Sequence, residues 1–337
     1  MRRRVLVTGG SGVVGSALLP ALADRHVVTA LRRRRPVGPC DAWVAADVTK
    51  PRLGLDASAY RRLCRDVDVV AHCAAMTNFS RRANHDGVNV TGTREILRFA
   101  ADADAAVIAV STAFVAEGVS SVEEPSGYEE SKRKAEQLVR DAPVQTVIVR
   151  PSVVAGDSRT GAIGELQGLH FVLAGLLLGE IPVMPGERDG FIDFVPSDLL
   201  AAALAGIVDA DPAAWPDILW VTQGAGALKN AVLVETTLAF GARQGLALGP
   251  VKFMPYERIE RLFLPVFLPE LPNEKKRQFR ALLRYARYIN VEQAFPTMSQ
   301  DDARRFGVGP SPSSVEVLER NLAFLWDTHL SGRNATA

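Results

Sequence analysis

Two short patterns in this chain hold residue types that could do chemistry. In Tyr128-Glu129-Glu130-Ser131-Lys132 a phenol and an ammonium stand four residues apart, which on a helix places them on one face. A phenol with an ordinary pKa of about 10 beside a cation is a candidate general acid. The same spacing also occurs on solvated helix faces. What favours chemistry is its position after an apolar run ending in Val110-Ser111-Thr112-Ala113-Phe114-Val115, which brings a hydroxyl to the same end of a strand. Near the amino terminus, Val5-Leu6-Val7-Thr8-Gly9-Gly10-Ser11-Gly12-Val13-Val14-Gly15 reads as a strand, a glycine turn and a helix start. Gly9 permits the tight turn, Gly12 lets a pyrophosphate approach the backbone, and Gly15 lets the helix pack against the strand. The first N–H groups and the positive end of that helix would face phosphates. Glycine turns also follow strands that bind no nucleotide, so it is the joint occurrence in this order that is informative.

The elements that must position these residues alternate. Helical spacing over Val13 to Asp24 is followed by strands at Val27 to Leu31 and Trp43 to Asp47. A helix over Ala57 to Arg65 and a strand over Val67 to His72 come next. Then come a helix from Val88 to Ala101, the strand Ala105 to Val110, a helix from Tyr128 to Arg140 and the strand Val144 to Val149. Strands alternating with helices predict an α/β fold, a doubly wound, mostly parallel sheet with helices on both faces. After Arg150-Pro151, glycine and proline punctuate the chain, with strand-like segments at Phe191 to Val195 and Ile218 to Thr222. A Pro-laced apolar stretch, Leu262 to Pro272, and an amphipathic segment from Val315 to His329 follow in a mainly helical region. The reading is a Rossmann-type nucleotide-binding core over residues 1–160, completed by about 190–224. Residues 161–189 and 225–330 form a smaller substrate lobe over the carboxyl ends of the strands.

Composition narrows the classes. With 337 residues, 47% hydrophobic and 23% charged, the chain can bury a large core, and disorder is not expected. A net charge of +1 gives no electrostatic case for nucleic acid or an anionic membrane as partner. Cys40, Cys64 and Cys73 have neither zinc nor disulfide spacing, which predicts no metal and fits a reducing cytoplasm. The run Phe171 to Leu178 is too short to span a bilayer, and no export or anchoring is expected.

These motifs together resemble the extended short-chain dehydrogenase/reductases. TGGSGVVG is similar to that branch's TGxxGxxG, YEESK to its YxxxK, and Arg150-Pro151-Ser152 to its strand-six RPS. Asp47-Val48, His72-Cys73-Ala74-Ala75 and Asn89-Val90-Thr91-Gly92-Thr93 resemble its intermediate landmarks. Within the branch, STAFV at 111–115, YEESKRKAE, RPSVVAGDSRTG and the segment from Ile192 to Asp198 are most similar to thioester reductase domains, carboxylic acid reductase terminal domains and fatty acyl-CoA reductases. The resemblance covers residues 1–200. The segment between Thr112 and Tyr128 is shorter than in those reductases.

The resemblance implies that Tyr128 protonates a carbonyl oxygen as hydride arrives, and that Lys132 tunes the phenol and bonds the nicotinamide ribose. It implies that Thr112, with Ser111 as the alternative, bonds the substrate oxygen. It sets the cofactor contacts at Gly9, Ser11, Gly12, Val13, Val14 and Gly15, at Asp47 and Val48, at Ala74 and Ala75, at Lys132, and at Pro151, Ser152 and Val153. Cofactor choice is read from the end of the second strand, where Leu31 is followed by Arg32, Arg33, Arg34 and Arg35 with no acid. Guanidinium forks suit a 2′-phosphate, so NADPH is expected, against the alternative of a basic surface loop.

Other candidates have plainer readings. Asn89 is either catalytic or a brace for neighbouring backbone. His170 reads as a packed residue rather than a base. Asp193 and Asp198 read as caps or partners of arginines. Lys275, Lys276, Arg277, Arg280, Arg284 and Arg287 form either a solvated face or a landing site for coenzyme A or an acidic acyl or peptidyl carrier protein. The leading expectation is an NADPH-dependent reductase taking an acyl thioester to aldehyde or alcohol. The alternatives are an extended-branch ketone or aldehyde reductase or epimerase-like enzyme on a free small molecule, and a nucleotide-sensing protein that kept the fold.

Overall fold

Alternating apolar residues in the first strand split between two cores, and this fixes the layering. In a computed structural model, β1 (Arg4–Thr8) sends Val5 and Val7 to one face, where they pack with Leu18 and Leu22 of α1 (Val13–Ala23) and Leu204 and Ile207 of α6 (Ser197–Asp209). Leu6 points to the other face, into a core with Tyr60 of α2 (Ala57–Arg65), Ile96 and Phe99 of α3 (Thr91–Ala103) and Val139 of α4 (Gly127–Arg140). The structure describes residues 2–33, 38–77, 84–116, 126–259, 261, 264–270, 272–273, 276, 279–280, 283, 285, 288, 291 and 293–332. Arg34, Arg35, the segment 117–125 and the basic residues Lys275, Arg277, Arg284 and Arg287 lie outside the described residues.

The remaining strands of this sheet are β2 (Val27–Arg32), β3 (Ala42–Ala45), β4 (Val69–His72), β5 (Ala106–Val110), β6 (Thr146–Pro151) and β11 (Ile218–Val221). Among the described residues they give a seven-stranded sheet in the order β11-β6-β5-β4-β1-β2-β3, every pairing parallel. The doubly wound α/β fold expected from the alternation is therefore present. The strand order reverses between β1 and β4, and open α/β sheets bind ligands at the carboxyl ends of strands at such a point.

Two sequence expectations need adjustment. Helix α3 is preceded by a π-helical turn, Asp86–Val90, so the element expected from Val88 has two parts. The single strand expected over Phe191 to Val195 is two short ones around Asp193. Here β9 (Phe191–Ile192) pairs antiparallel with β12 (Leu228–Lys229), and β10 (Phe194–Pro196) pairs parallel with β7 (Val153–Ala155). The break exists because the Asp193 carboxylate turns inward to accept the backbone N–H groups of Gln223 and Gly224, at 2.9 and 2.8 Å.

A second core is built mainly from the later part of the chain. Leu173 and Leu176 of α5 (Gly168–Leu177), Leu233 of α7 (Asn230–Arg243), and Leu318 and Leu322 of the terminal helix Ser314–Leu325 pack with Phe194. A further parallel pair, β8 (Val183–Pro185) with β13 (Lys252–Met254), lies in this mainly helical region. Asn321 ties the terminal helix to the loop after β7: its Oδ1 accepts the Gly156 N–H at 2.8 Å and faces His170 Nε2 at 3.0 Å. His170 is thus a packed residue, and burial lowers its pKa. No helix among the described residues is long and apolar enough to cross a membrane.

Candidate active site

The glycine turn is shaped by contacts that exclude side chains. Gly9 has φ +69°, and a Cβ there would lie 2.6 Å from the backbone nitrogen of Ala74. A Cβ on Gly15 would lie 2.2 Å from the Gly9 carbonyl oxygen, which is the close strand–helix approach expected of that glycine. At Gly12 the nearest atom to an added Cβ is 3.4 Å away, so this position opens outward. Gly12 caps α1 without a side-chain hydrogen bond, which leaves the first N–H groups of the helix facing that open side. This donor set fits a dinucleotide pyrophosphate.

Helix α4 starts where its cap dictates. Ser126 and Glu129 form a reciprocal capping box: the Ser126 hydroxyl accepts the Glu129 N–H at 3.3 Å, and the Glu129 carboxylate accepts the Ser126 N–H at 2.9 Å. Tyr128 therefore lies in the first turn, where the helix dipole favours negative charge. Lys132 is one turn further on the same face, and both side chains are buried. The Lys132 ammonium donates to the Val110 carbonyl at the end of β5, at 2.8 Å. Thr112, two residues beyond Val110, hydrogen-bonds the Tyr128 hydroxyl. Ser111 points elsewhere, donating to Glu136 at 2.6 Å. Of the two strand-end hydroxyls, Thr112 is the one presented to Tyr128.

Burial sets the protonation states. It pushes the Tyr128 phenol up to about 12, with Thr112 opposing, and lowers Lys132 to about 8. Desolvation is the largest influence on the Tyr128 phenol, and the Lys132 ammonium is held on the Val110 carbonyl. A phenol kept neutral in this way is a hydrogen-bond donor throughout the neutral range.

A polar chain braces this geometry from the glycine turn. The Ala74 N–H donates to Thr8 Oγ1 at 3.1 Å, and that hydroxyl meets His72 Nδ1 at 2.8 Å. His72 Nε2 meets Thr93 Oγ1 at 3.2 Å, and the Thr93 hydroxyl donates to the Asn89 carbonyl at 2.6 Å. Asn89 Nδ2 donates to Ser131 at 2.9 Å, and the Ser131 hydroxyl donates to the Tyr128 carbonyl at 2.7 Å. Asn89 also clasps the backbone of Met76 through both its amide atoms. Burial lowers His72 to about 3, so the imidazole is neutral and can relay one donor and one acceptor. Asn89 is a brace, and the sequence alone left that open.

A cavity of about 500 Å³ joins the two patterns: Gly12, Val13 and Val14 border it on one side, and Thr112, Tyr128 and Lys132 on another. Ala75, Pro151, Ser152 and Val153 complete that end. Gly9 and Gly15 lie behind this wall in the turn, Ala74 packs against Gly9, and Ser11 is exposed. Arg32 ends β2, the strand beside β1, and Arg33 follows it, exposed. Asp47 is held below the usual carboxylate range chiefly by Thr49, whose hydroxyl and N–H both donate to it, with a smaller push from Arg33. Val48 packs against Gly92. These residues stand along the β2–β3 arm of the switch point rather than in the cavity. Asp193 and Asp198 serve as caps: Asp198 accepts the N–H and hydroxyl of Ser158, and neither carboxylate has an arginine hydrogen-bond partner among the described residues.

Sequence reasoning passed over two groups. Glu136 accepts two hydrogen bonds from Arg150, at 2.9 and 2.6 Å, plus that of Ser111, and Arg150 stacks over Trp220 at 4.8 Å. The placement of Glu136 four residues after Lys132 was the available signal. The far wall of the cavity, with Phe114, Leu166, Phe171 and Tyr285, comes from segments distant in sequence and had none.

The family model described as male sterility protein, an NAD-binding family, matches residues 42–204. A component of the linear gramicidin synthase of Brevibacillus parabrevis is 33% identical over 228 residues, which is 55% of this chain and 4% of that protein. Other relatives are also much longer, the chain spanning 16% and 21% of two of them. Among solved structures, the terminal R domain from the myxalamid PKS-NRPS biosynthetic pathway superposes with a TM-score of 0.75 at 22% identity, covering 98% of this chain and 92% of that one. UDP-glucuronic acid 4-epimerase from Bacillus cereus, in complex with NAD, gives 0.67 at 16% identity, covering 96% and 98%. At these identities the structural likeness speaks to the fold.

Proposed function

We infer that this chain, an extended short-chain dehydrogenase/reductase most like the thioester reductase, carboxylic acid reductase terminal domain and fatty acyl-CoA reductase group, reduces an acyl thioester with NADPH. The observation that carries the reading is the Thr112–Tyr128 hydroxyl pair, with Lys132 beside it, opening onto the same cavity as the glycine turn. Similarity to a gramicidin synthase and to a terminal R domain supports a thioester on a carrier-borne or coenzyme A arm as substrate. Among the described residues the charged groups lining the cavity are Lys132 and Glu165. In this reading residues 161–189 and 225–330 form the substrate lobe. Arg32 and Arg33, at the end of the second strand, support NADPH over NADH.

Gly12 and the first turn of α1 would hold the pyrophosphate, and Lys132 the ribose. When bound, the reduced nicotinamide supplies the hydride that adds to the thioester carbon. Tyr128 and Thr112 donate hydrogen bonds to the oxygen as it becomes an oxyanion, and the first turn of α4 adds its dipole. The carbonyl re-forms as the C–S bond breaks, the thiolate takes up a proton, and an aldehyde and a free thiol remain. Tyr128 can then donate a proton outright if the aldehyde is reduced again, with Lys132 as the neighbouring group that exchanges protons.

The test is NADPH oxidation against acyl-coenzyme A and carrier-bound thioesters, aldehydes, ketones and sugar nucleotides. Turnover of thioesters with release of free thiol is the expected result. Activity confined to free ketones or sugar nucleotides would overturn it.

A further inference from the structure

We propose that the half of the cavity facing away from the glycine turn is a subsite for the hydrocarbon chain of the substrate, with Phe171 as the residue that sets its preference. The proposal rests on the thioester reading for the identity of the reacting group, while the subsite itself rests on four observations. Helix α5 buries Leu169, Val172 and Leu173, yet leaves Phe171 53% exposed at the edge of the cavity. A large apolar ring left in water beside a cavity gains from any chain that covers it. Its ring lies 6.4 Å from that of Tyr285, tilted by 33°, so the two aromatics are neighbours along one wall of the cavity. Gly168 makes that arrangement possible: a Cβ there would be 2.3 Å from the Tyr285 ring, so the ring lies directly on the start of α5.

The inner end of the same wall is also apolar. Leu166, just before α5, and Leu169 within it continue the wall, and Phe114 faces the cavity with its ring edge-on to Tyr288, the centroids 4.7 Å apart. Phe114 directly follows the Thr112–Ala113 pair, so the apolar wall begins where the reacting carbonyl would be held. Among the described lining residues the charged groups are Lys132, at the reacting end, and Glu165. A chain of methylenes needs no polar partner and suits such a wall. Among the described residues the polar groups on this side are Glu165, Gln167 and the phenols of Tyr285 and Tyr288, fewer than the row of donors and acceptors that the amides of a peptidyl chain would need.

The experiment measures two series on the full chain. The first is kcat/KM for straight-chain acyl-coenzyme A thioesters and for the matching aldehydes as the chain is lengthened. The second is Kd, by calorimetry, for alkyl-pantetheine thioethers of the same lengths, which cannot be reduced. Both should improve by about fourfold per added methylene until the subsite is filled. Phe171→Asp should flatten both slopes, and Phe171→Leu should restore them; the exposure of Phe171 makes both variants compatible with folding, checked by circular dichroism. A thioether slope without thioester turnover would support the subsite and sink the thioester reading. Flat thioether binding in the wild type, or a slope unchanged in Phe171→Asp, would overturn the subsite whatever the enzyme reduces.

Discussion

At the scale of the residue, the proposed chemistry depends on two buried groups whose environments move them in opposite directions. Tyr128 is pushed up to about 12, and Lys132 down to about 8. Replacing Tyr128 by Phe removes the hydroxyl and keeps the ring, so turnover should fall about 10²–10⁴-fold with NADPH affinity retained, read by steady-state rates and cofactor titration. An unchanged rate on both a thioester and its aldehyde would remove Tyr128 from the mechanism. Lys132 makes a sharper prediction about pH. Its ammonium is lost as pH rises through about 8, so a step that needs the charge slows above that pH. Stability moves the other way. The unfolded lysine titrates at about 10.4, so between about 8 and 10.4 the unfolded chain binds more protons and stability increases with pH. Activity falling while thermal stability holds or rises would separate loss of the ammonium from alkaline unfolding.

At the scale of the element, α4 is fixed to the sheet by the Glu136–Arg150–Ser111 cluster, whose charged side chains are 4% and 12% exposed. Burial pushes Glu136 up, but the hydrogen bonds from Arg150 and Ser111 outweigh it and hold the carboxyl below its usual range. Glu136→Ala would leave Arg150 buried without its partner, a loss of about 3–5 kcal/mol in chemical denaturation. A double variant replacing both by apolar residues should recover much of that loss. Because the folded pKa is depressed, this contribution is present above the unfolded carboxyl pKa and is lost as pH falls through the folded one. The capping box at Ser126 is a smaller device in the same helix: Ser126→Ala should cost about 1 kcal/mol. It should also loosen Tyr128 in the first turn, and so lower kcat more than it raises KM.

At the scale of the whole molecule, the glycine turn, the β2–β3 arm and the cavity lie along one edge of the sheet, so a dinucleotide would join parts that are far apart in sequence. A ligand that binds only the folded state at 100 times its Kd stabilises it by about 2.7 kcal/mol. Thermal shift with NADPH and with NADH therefore reads cofactor choice directly. NADPH should stabilise the wild type more, and replacing Arg32 and Arg33 together should remove the difference, each charged phosphate contact contributing about 1.5–3 kcal/mol. A wild type that binds NADH more tightly would reverse the assignment. The Asn321 clasp gives a second test at this scale. Asn321→Ala strips the partner from the buried Gly156 N–H and from His170, and should cost about 1–3 kcal/mol per orphaned group.

What could be read from the sequence is what local physics decides. The alternation of apolar strands and amphipathic helices, the glycines at 9, 12 and 15 and the four-residue Tyr128–Lys132 spacing all act within one or two turns of chain, and the sheet, turn and helix face follow from them. Nearby sequence also misled where a tertiary contact overrode it: Phe191 to Val195 reads as one strand because nothing local shows Asp193 turning in to cap residues thirty positions away. The role of Asn89, the choice between Ser111 and Thr112, and the protonation of Tyr128 depend on which groups meet across elements and on how much water is excluded. The apolar wall with Phe171 and Tyr285 belongs wholly to tertiary structure, since only packing brings α5 against a ring more than a hundred residues later.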